Sequence, residues 1–221
     1  MSLNETKSPA ALFVDFDGTI VNDDTAQLAL DRFGEPGWAR IDEALERGEI
    51  SFEDSLRQEF ATLNAPPKTI IDEVSRLISF RPNFDRLIDY CRSTLLPITV
   101  VSGGLDFCIQ HLLNRGDWLR FVKICAPVSH FTGSGYTLTF PEATRYGSTS
   151  FKDGLVRYEK ARGSRVFFVG NGYGDLSAAK EATFVFAIRG SKLAHLCREQ
   201  EVKHMAVDDF QEVIDHLQLH L

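Results

Sequence analysis

Two aspartates stand one residue apart directly after an apolar run, in the stretch Asp15-Phe16-Asp17-Gly18-Thr19. In an extended chain Asp15 and Asp17 point to one side and Phe16 points to the other. Two carboxylates that share a small space repel each other unless a proton or a cation lies between them. Oxygen ligands favour a hard ion such as Mg²⁺. The pair predicts a metal or acid–base site, with a simple acidic turn as the alternative.

A hydroxyl and two glycines follow a second apolar run. Ser102, Gly103 and Gly104 come directly after Ile98–Val101 and before a predicted helix, Leu105–Leu113. A hydroxyl together with accessible backbone N–H groups suits a phosphate. Ser102 as an ordinary helix N-cap is the alternative.

A glycine-rich acidic loop follows a third apolar run, Val166–Val169. Its sequence is Gly170-Asn171-Gly172-Tyr173-Gly174-Asp175, and a predicted helix follows it. Asp175 is either an oxygen ligand or an N-terminal helix residue favoured by the helix dipole. Because its position repeats the arrangement after the first two runs, the ligand interpretation gains support.

These runs, Ala11–Val14, Ile98–Val101, Val166–Val169 and Phe184–Ile188, are short and rich in β-branched residues or Phe, which is typical of buried parallel strands. Helical segments separate them, so we predict an α/β fold with a parallel sheet. Ligands of such sheets bind in the crevice beyond the carboxyl ends of the strands. The polar residues described above should therefore converge there.

The long segment after the first strand has helical periodicity and few strand signals. Leu45, Ile50, Phe52, Leu56 and Phe60 suggest one apolar helical side. Further helices are predicted at Ile70–Ile78 and Phe84–Cys91. Later in the chain we predict a β-hairpin at the alternating Tyr136, Leu138 and Phe140, and helices near Asp175–Ala182, Lys192–Gln200 and Asp209–Leu217. We therefore expect one core domain from residues 8–21 and 94–221, and a helical cap with its return helix from residues 22–93.

The composition excludes several classes of function. The formal charge is −7, from 24 Lys and Arg against 31 Asp and Glu, which argues against a nucleic-acid partner. No stretch approaches membrane-spanning length, and the four cysteines lack CxxC spacing, so we expect a cytoplasmic protein with buried reduced thiols and no membrane partner.

In this order the motifs resemble those of the haloacid dehalogenase superfamily of phosphatases. The resemblance implies a Rossmann-like core, a magnesium cofactor and a small phosphorylated metabolite as substrate. It assigns Asp15 as the nucleophile that forms an aspartyl phosphate, and Asp17 as the acid that protonates the leaving oxygen and then activates water. Ser102 and the N–H groups of Gly103 and Gly104 would hold phosphoryl oxygens.

The resemblance also implies a lysine and a metal shell. Lys152 is the first choice for the lysine, with a solvated surface residue as the alternative and Lys160 in reserve. Mg²⁺ would take oxygen from Asp15, from the backbone carbonyl of Asp17 and from the loop that carries Asn171 and Asp175. Relatives of the phosphoserine phosphatase branch usually carry Asp where this chain has Asn171, so one negative charge is missing.

The cap resembles that of the phosphoserine phosphatase branch. Arg57 would bind a substrate carboxylate and Asp24 an ammonium, although the branch normally has Glu at the latter position. Both could instead be ordinary solvated helix charges. The segments Val100–Phe107 and Leu196–Gln200 are similar to the methionine-salvage phosphatase that acts on a methylthio keto-enol phosphate. We rank a phosphoserine-like substrate first and the methionine-salvage substrate second.

Two other classes of function stay open. One is a non-catalytic protein that keeps the fold and binds a phosphorylated ligand, with Asn171 as the sign of weakened catalysis. The other is a phosphotransferase, in which the phosphoryl group passes from the aspartate to another hydroxyl. Nothing in the sequence marks a second acceptor site, which favours hydrolysis.

Overall fold

The computed structural model describes residues 9–142 and 148–221. Residue 8, the first residue of the predicted core domain, lies outside these ranges. The strands are β1 (Ala10–Val14), β2 (Ile98–Val101), β3 (Lys123–Cys125), β4 (Val128–Phe131), β5 (Tyr136–Thr139), β6 (Arg165–Gly170), β7 (Phe184–Ile188) and β8 (His204–Val207). Six of them form a parallel sheet in the order β3-β2-β1-β6-β7-β8, and β4 pairs with β5 in an antiparallel hairpin.

The α-helices lie between and after these strands. They are α1 (Thr25–Phe33), α2 (Ala39–Glu46), α3 (Phe52–Ala61), α4 (Pro67–Val74), α5 (Phe84–Thr94), α6 (Asp106–Arg115), α7 (Phe151–Ala161), α8 (Leu176–Glu181), α9 (Lys192–Glu199) and α10 (Phe210–His220). Many begin at a side chain that accepts a hydrogen bond from the first turn, as Ser51 does for α3 and Ser191 for α9. Among the described residues, no helix combines the length and apolarity that a membrane crossing requires.

Helices cover both faces of the sheet. On one face, α5, α6 and α10 pack their apolar residues against alternate positions of the strands, such as Leu12 and Val14 of β1. On the other face, α7 and α8 pack against the intervening positions, such as Phe13 of β1 and Phe168 of β6. The sheet is therefore buried on both sides, which explains why its strands read as continuous apolar runs. The predicted α/β class is confirmed.

A second apolar cluster lies above the carboxyl ends of the strands. Helices α1, α3 and α4 form this cluster together with α6 and the hairpin. Its buried residues include Phe60, Ile70 and Tyr136. The hydroxyl of Tyr136 donates a hydrogen bond to the carbonyl of Ala65 at 2.8 Å, which ties the hairpin to the helices. Helix α5 instead belongs to the core under the sheet. The boundaries of a cap over residues 22–93 stay a prediction.

The sequence-based element predictions differ from the structure in two respects. The prediction of one apolar helical side from Leu45 to Phe60 is wrong, because helix α2 ends at Glu46 and helix α3 begins only at Phe52. Gly48 lies in the intervening turn with a φ of 71°, a backbone conformation that residues other than glycine rarely adopt. Strands β3 and β8 were not predicted. They lie at the two edges of the sheet and are partly exposed, so they lack a continuous apolar run.

The thiols agree with the prediction. Cys91, Cys108, Cys125 and Cys197 are all buried and free.

Replacement of Phe186 by Ala tests the core. Phe186 is fully buried in β7, an internal strand, so Phe186→Ala should lower the free energy of unfolding by about 3 to 5 kcal/mol. Leu219→Ala on α10 removes a side chain that is 82% exposed and should change it by less than about 0.5 kcal/mol. Urea unfolding of both variants, followed by circular dichroism, measures the difference. Equal effects would contradict this packing.

Candidate active site

A cavity of about 290 Å³ lies at the carboxyl ends of β1, β2 and β6, with α1, α2 and α3 on its other side. Val14 pairs with Val100 on one side and with Val169 on the other, so the three strands end almost level. The lining residues are Asp15, Asp17, Asp24, Ala26, Gln27, Leu30, Trp38, Asp42, Leu45, Glu46, Phe52, Ser55, Leu56, Glu59, Ser102, Gly103, Gly104, Lys152, Asn171, Gly172, Tyr173, Gly174, Asp175 and Lys192. The three motifs therefore meet at one place.

Lys152 lies between two carboxylates at the base of the cavity. Its Nζ is 2.7 Å from Asp15 Oδ1 and 2.7 Å from Asp175 Oδ1, and all three side chains are buried. Ser150 and Asp153 form a capping box that begins α7 and places Lys152 in its first turn. Lys160, the reserve candidate, instead donates to the carbonyl of Glu181 at the surface. The structure thus brings Lys152, and not Lys160, to the carboxylates.

Asp175 also shapes the loop that follows β6. Its Oδ2 accepts hydrogen bonds from the N–H groups of Asn171 and Gly172, both at 3.0 Å. The amide oxygen of Asn171 accepts a hydrogen bond from Thr19 Oγ1 at 3.1 Å, and Thr19 Oγ1 is 3.3 Å from Asp15 Oδ2. Asn171 and Asp15 therefore present oxygen atoms close to each other.

Asp17 is held by residues from two other segments. Its Oδ1 accepts hydrogen bonds from the N–H of Thr25 at 2.7 Å and from the Thr25 hydroxyl at 2.6 Å. Ser102 Oγ donates to Asp17 Oδ2 at 3.4 Å and accepts from the N–H of Gly104 at 2.9 Å. Phe16, between the two aspartates, is fully buried in the core under the sheet. The predicted alternation of these side chains is confirmed.

Burial changes the proton affinity of these groups. Burial, with a smaller contribution from the charge of Asp175, raises the pKa of Asp15 to about 7, although Lys152 opposes the change. Burial and the nearby charge of Asp24 hold the pKa of Asp17 well above its usual range. Burial disfavours the ammonium of Lys152, but the charges of Asp15 and Asp175 outweigh it and raise the pKa of Lys152. Lys152 is therefore positively charged, and Asp17 retains a proton readily.

Two residues without a predicted role shape the site. Arg81 donates to the carbonyls of Thr19 and Gly18, both at 2.8 Å, and so holds the turn after Asp17. Phe52 of α3 packs against the glycine backbones, and a Cβ on Gly103 or on Gly174 would lie 2.8 Å and 2.5 Å from its ring. Sequence patterns gave no signal for Arg81 beyond its place before a proline. Phe52 showed only apolar periodicity.

The two predicted substrate-binding charges have different surroundings. Asp24 lines the cavity, and its Oδ1 also accepts from the N–H of Gln27 as the N-cap of α1. Arg57 is not among the lining residues. It pairs with Asp54 at 3.0 Å, stacks over the ring of Phe140 and is half exposed. Successive residues of a helix are about 100° apart, so Arg57 lies away from the side of α3 that Ser55, Leu56 and Glu59 present to the cavity.

Glu59 is a cavity residue that sequence reasoning missed. It is 8% exposed, and no hydrogen-bond or ion-pair partner of its carboxylate is present among residues 9–142 and 148–221. Burial, with the charges of Asp42 and Asp24, raises its pKa to about 7. The sequence shows that Glu59 lies about one helical turn after Ser55 and Leu56. It does not show which side of α3 faces the cavity.

The oxygen atoms at the base of the cavity fit a magnesium ion. The candidate donors are the carboxylates of Asp15 and Asp175, the backbone carbonyl of Asp17 and the amide oxygen of Asn171, all hard ligands. Gly18, with a φ of 67°, leaves room for Asn171, because a Cβ there would lie 2.0 Å from the Asn171 amide nitrogen. Within the described part of the chain, no group of three or more His, Cys, Asp or Glu could hold a metal ion. A bound ion would thus depend on amide and main-chain oxygens.

Comparison with known sequences identifies the family. The profile described as haloacid dehalogenase-like hydrolase matches residues 12–180, which include all three strand-end motifs and Lys152. The chain belongs to this family. The predicted family and the predicted enzyme class, a hydrolase of phosphoric monoesters, are confirmed.

Two curated relatives cover nearly the whole chain. A 2-hydroxy-3-keto-5-methylthiopentenyl-1-phosphate phosphatase of Brevibacillus brevis is 32% identical over 213 residues, with 94% of each chain covered. A polyol phosphate phosphatase of Saccharomyces cerevisiae is 24% identical over 220 residues and covers 93% of this chain and 91% of its own.

Solved structures agree on the fold. A substrate-bound phosphoserine phosphatase complex superposes with a TM-score of 0.72 at 20% identity, over 95% of this chain and 99% of the other. An aspartyl-phosphate intermediate analogue of phosphoserine phosphatase gives a TM-score of 0.70 at 20% identity, with the same coverage. At this level of sequence identity the structural similarity shows a shared fold and does not identify the substrate.

Removal of the buried ammonium tests its role as counter-charge. Lys152→Met leaves the carboxylates of Asp15 and Asp175 buried without a cation, so it should lower the free energy of unfolding by about 3 to 5 kcal/mol at pH 8 in EDTA. Lys160→Met, which removes an exposed ammonium on the same helix, should change it by less than about 0.5 kcal/mol. Urea unfolding measures both. Equal effects would contradict the role assigned to Lys152.

The unpartnered carboxyl of Glu59 predicts a dependence of stability on pH. Because its pKa rises from 4.5 to about 7 on folding, the folded protein binds this proton more tightly, and stability falls as pH rises between these values. Glu59→Gln removes the effect. The variant should be more stable than the wild type by about 2 to 3 kcal/mol at pH 8, with most of the gain lost at pH 4.5. Urea unfolding at the two pH values measures it, and a difference independent of pH would contradict the prediction.

Proposed function

We propose that the protein is a Mg²⁺-dependent phosphatase that hydrolyses a small phosphorylated metabolite through an aspartyl phosphate on Asp15. The observation that carries the proposal is the convergence of Asp15, Asp17, Ser102 and Lys152 in one cavity with the short contacts given above. The catalytic roles follow from this geometry and from the family. Mutation of each residue tests the role assigned to it.

In the first step Asp15 attacks phosphorus and forms a new bond to it, while the bond from phosphorus to the ester oxygen breaks. Asp17 gives its proton to that leaving oxygen, for which its raised pKa suits it. The ammonium of Lys152 opposes the rise in the pKa of Asp15, so it favours the ionised carboxylate, and it balances charge on the phosphoryl group. Ser102 and the backbone N–H groups beside it hold phosphoryl oxygens.

In the second step water attacks phosphorus and gives a proton to Asp17, while the bond from phosphorus to the oxygen of Asp15 breaks. Inorganic phosphate leaves and the carboxylate of Asp15 is restored. A bound Mg²⁺, held by oxygens of Asp15, Asp17, Asn171 and Asp175, would supply further positive charge to the phosphoryl oxygens. Thr25 orients Asp17 through two hydrogen bonds to the same oxygen. Arg81 fixes the backbone between the two aspartates and α1.

Asn171 does not favour the non-catalytic alternative. Its amide oxygen already lies beside Thr19 and Asp15, where it presents a neutral ligand. The missing charge is expected to weaken the affinity for Mg²⁺ and not to abolish it. The phosphotransferase alternative is tested by adding an alcohol acceptor, since a phosphorylated alcohol marks transfer and free phosphate alone marks hydrolysis.

For the substrate, the comparisons support an order opposite to the one that the sequence motifs favour. The phosphoserine hypothesis needed a cation for the substrate carboxylate, and Arg57 is paired with Asp54 outside the cavity. Several relatives that match over most of the chain are named as methylthio keto-enol phosphate phosphatases. We infer that such an ester is the better candidate, with phosphoserine second. A panel containing both, assayed for phosphate release, tests the order.

Replacement of the proposed nucleophile tests the mechanism. Asp15→Asn should lower kcat for an aryl phosphate with Mg²⁺ by more than about a thousandfold, and EDTA should abolish turnover by the wild type. Asp23→Asn, which neutralises an exposed carboxylate in the same segment, should leave kcat within about twofold.

Trapping of the intermediate extends this test. Asp17→Asn slows the attack of water, so acid-quenched Asp17→Asn protein should carry one phosphoryl group on the peptide that contains Asp15, as read by mass spectrometry. Full activity of Asp15→Asn, or a phosphoryl group on another residue, would overturn the proposed mechanism.

A further inference from the structure

The wall of the cavity opposite the phosphoryl site is acidic. Asp24, Asp42 and Glu59 line it from α1 and its N-cap, α2 and α3. Lys192 is a cation on this side, and its Nζ is 3.1 Å from Glu46. Lys152 is held at the base by Asp15 and Asp175. Among the lining residues, both lysines are therefore already paired with carboxylates.

Glu59 is the residue of this wall that points to a ligand. Only 8% of Glu59 is exposed. Its carboxylate nevertheless lines the cavity without a hydrogen-bond or ion-pair partner in the part of the chain that the structure describes. A buried carboxylate without a partner is costly unless a bound molecule supplies hydrogen-bond donors. Burial and the charges of Asp42 and Asp24 raise the pKa of Glu59, so a donated hydrogen bond to its ionised carboxylate would relieve part of the cost of burying that charge.

The rest of the wall limits what that donor is. Leu30, Trp38, Leu45 and Leu56 make much of its surface apolar. A carboxylate placed here would be repelled by Glu59, Asp24 and Asp42, whereas a hydroxyl can donate to Glu59 without bringing charge into an apolar site. The two relatives described above act, by their names, on a hydroxy-keto methylthio phosphate and on polyol phosphates, which carry no charge apart from the phosphate.

We propose that Glu59 determines specificity: its carboxylate accepts a hydrogen bond from a hydroxyl of a phosphate monoester that carries no charge apart from the phosphate, and it excludes esters that carry a carboxylate at that end. This inference rests on the proposed phosphatase function and deepens it. Asp24 and Asp42 reinforce the exclusion through their charge. Glu59 touches the part of the substrate that does not react, so it acts on selection and not on the chemical step.

A matched pair of esters tests the proposal. Glycerol 3-phosphate and 3-phosphoglycerate differ only by a CH₂OH or a carboxylate at the end distant from phosphate. Wild-type protein with Mg²⁺ should show a higher kcat/KM for glycerol 3-phosphate. Glu59→Gln should shift the ratio toward 3-phosphoglycerate by about tenfold or more, since it removes a buried negative charge that faces the substrate. Glu43→Gln removes a charge from the exposed side of α2 and should leave the ratio unchanged.

An aryl phosphate separates this proposal from the proposed function. Turnover of this ester by Glu59→Gln, at whatever rate, shows that the variant is folded, and the ratio of the two matched esters is compared within each protein. If the wild type hydrolyses the aryl phosphate but the ester ratio is the same in Glu59→Gln, the role of Glu59 is overturned and the phosphatase stands. If no ester is hydrolysed, the phosphatase proposal fails, and dissociation constants of the same two esters, measured by calorimetry, decide the role of Glu59 by the same ratio.

A second matched pair tests the charge of the ligand. Ethylene glycol phosphate and phosphoethanolamine differ by a hydroxyl or an ammonium. Comparable or faster hydrolysis of the hydroxyl ester supports the proposal. Preference for phosphoethanolamine by more than about tenfold, lost in Glu59→Gln, would overturn it in favour of a cationic substrate.

Discussion

The ammonium of Lys152 lies between the carboxylates of Asp15 and Asp175, and three separate segments of the chain depend on that contact. Asp15 ends the first strand, Asp175 closes the loop after β6, and Lys152 begins α7. Each group alone would be expensive to bury, because a charge loses its hydration in the interior. Together they satisfy each other, and the second oxygen of Asp175 remains available to hold the N–H groups of Asn171 and Gly172. The same contact therefore orders a loop and positions the carboxylate of Asp15, the proposed nucleophile.

The parallel sheet supplies the remaining alignment. Strand β1 pairs with β2 on one side and with β6 on the other. The first residues beyond these three strands are therefore neighbours, and short loops are enough to bring their side chains together. The electrostatics of the site follow from how each aspartate is paired. Asp15 has an ammonium beside it, whereas Asp17 has the N–H and hydroxyl of Thr25 and the hydroxyl of Ser102. One carboxylate is thereby suited to attack phosphorus and the other to carry a proton.

Helix α3 shapes the side of the cavity opposite the strand ends. Phe52 closes against the glycine backbones at 103 and 174, so these positions need glycine for a steric reason. Glu53, the next residue, accepts a hydrogen bond from the N–H of Phe151 at 2.8 Å, one residue before Lys152. Helix α3 is thus tied to the helix that carries the buried ammonium, and its inner side is held over the cavity. The proposed selection among phosphate esters rests on the carboxylate that this inner side presents to the cavity.

The sequence alone predicted the α/β class, four strands of the sheet and the meeting of Asp15, Asp17, Ser102 and Asp175, because apolar runs and the residues that end them are local features. Lys152 was chosen through a family resemblance, since a lysine in a helix carries no local sign of burial. The edge strands β3 and β8 escaped prediction because partial exposure removes the continuous apolar pattern.

Only the tertiary structure decided which residues of the cap face the cavity. Arg57 and Glu59 are two residues apart on one helix, and periodicity places them on different sides without saying which side is inward. That choice depends on the packing of α3 against α2, the hairpin and the core, which is a sum of long-range contacts. The structure thus places the carboxylate of Glu59, and not the predicted cation of Arg57, in the lining of the cavity. The substrate selection proposed above follows from the sign of that one buried charge.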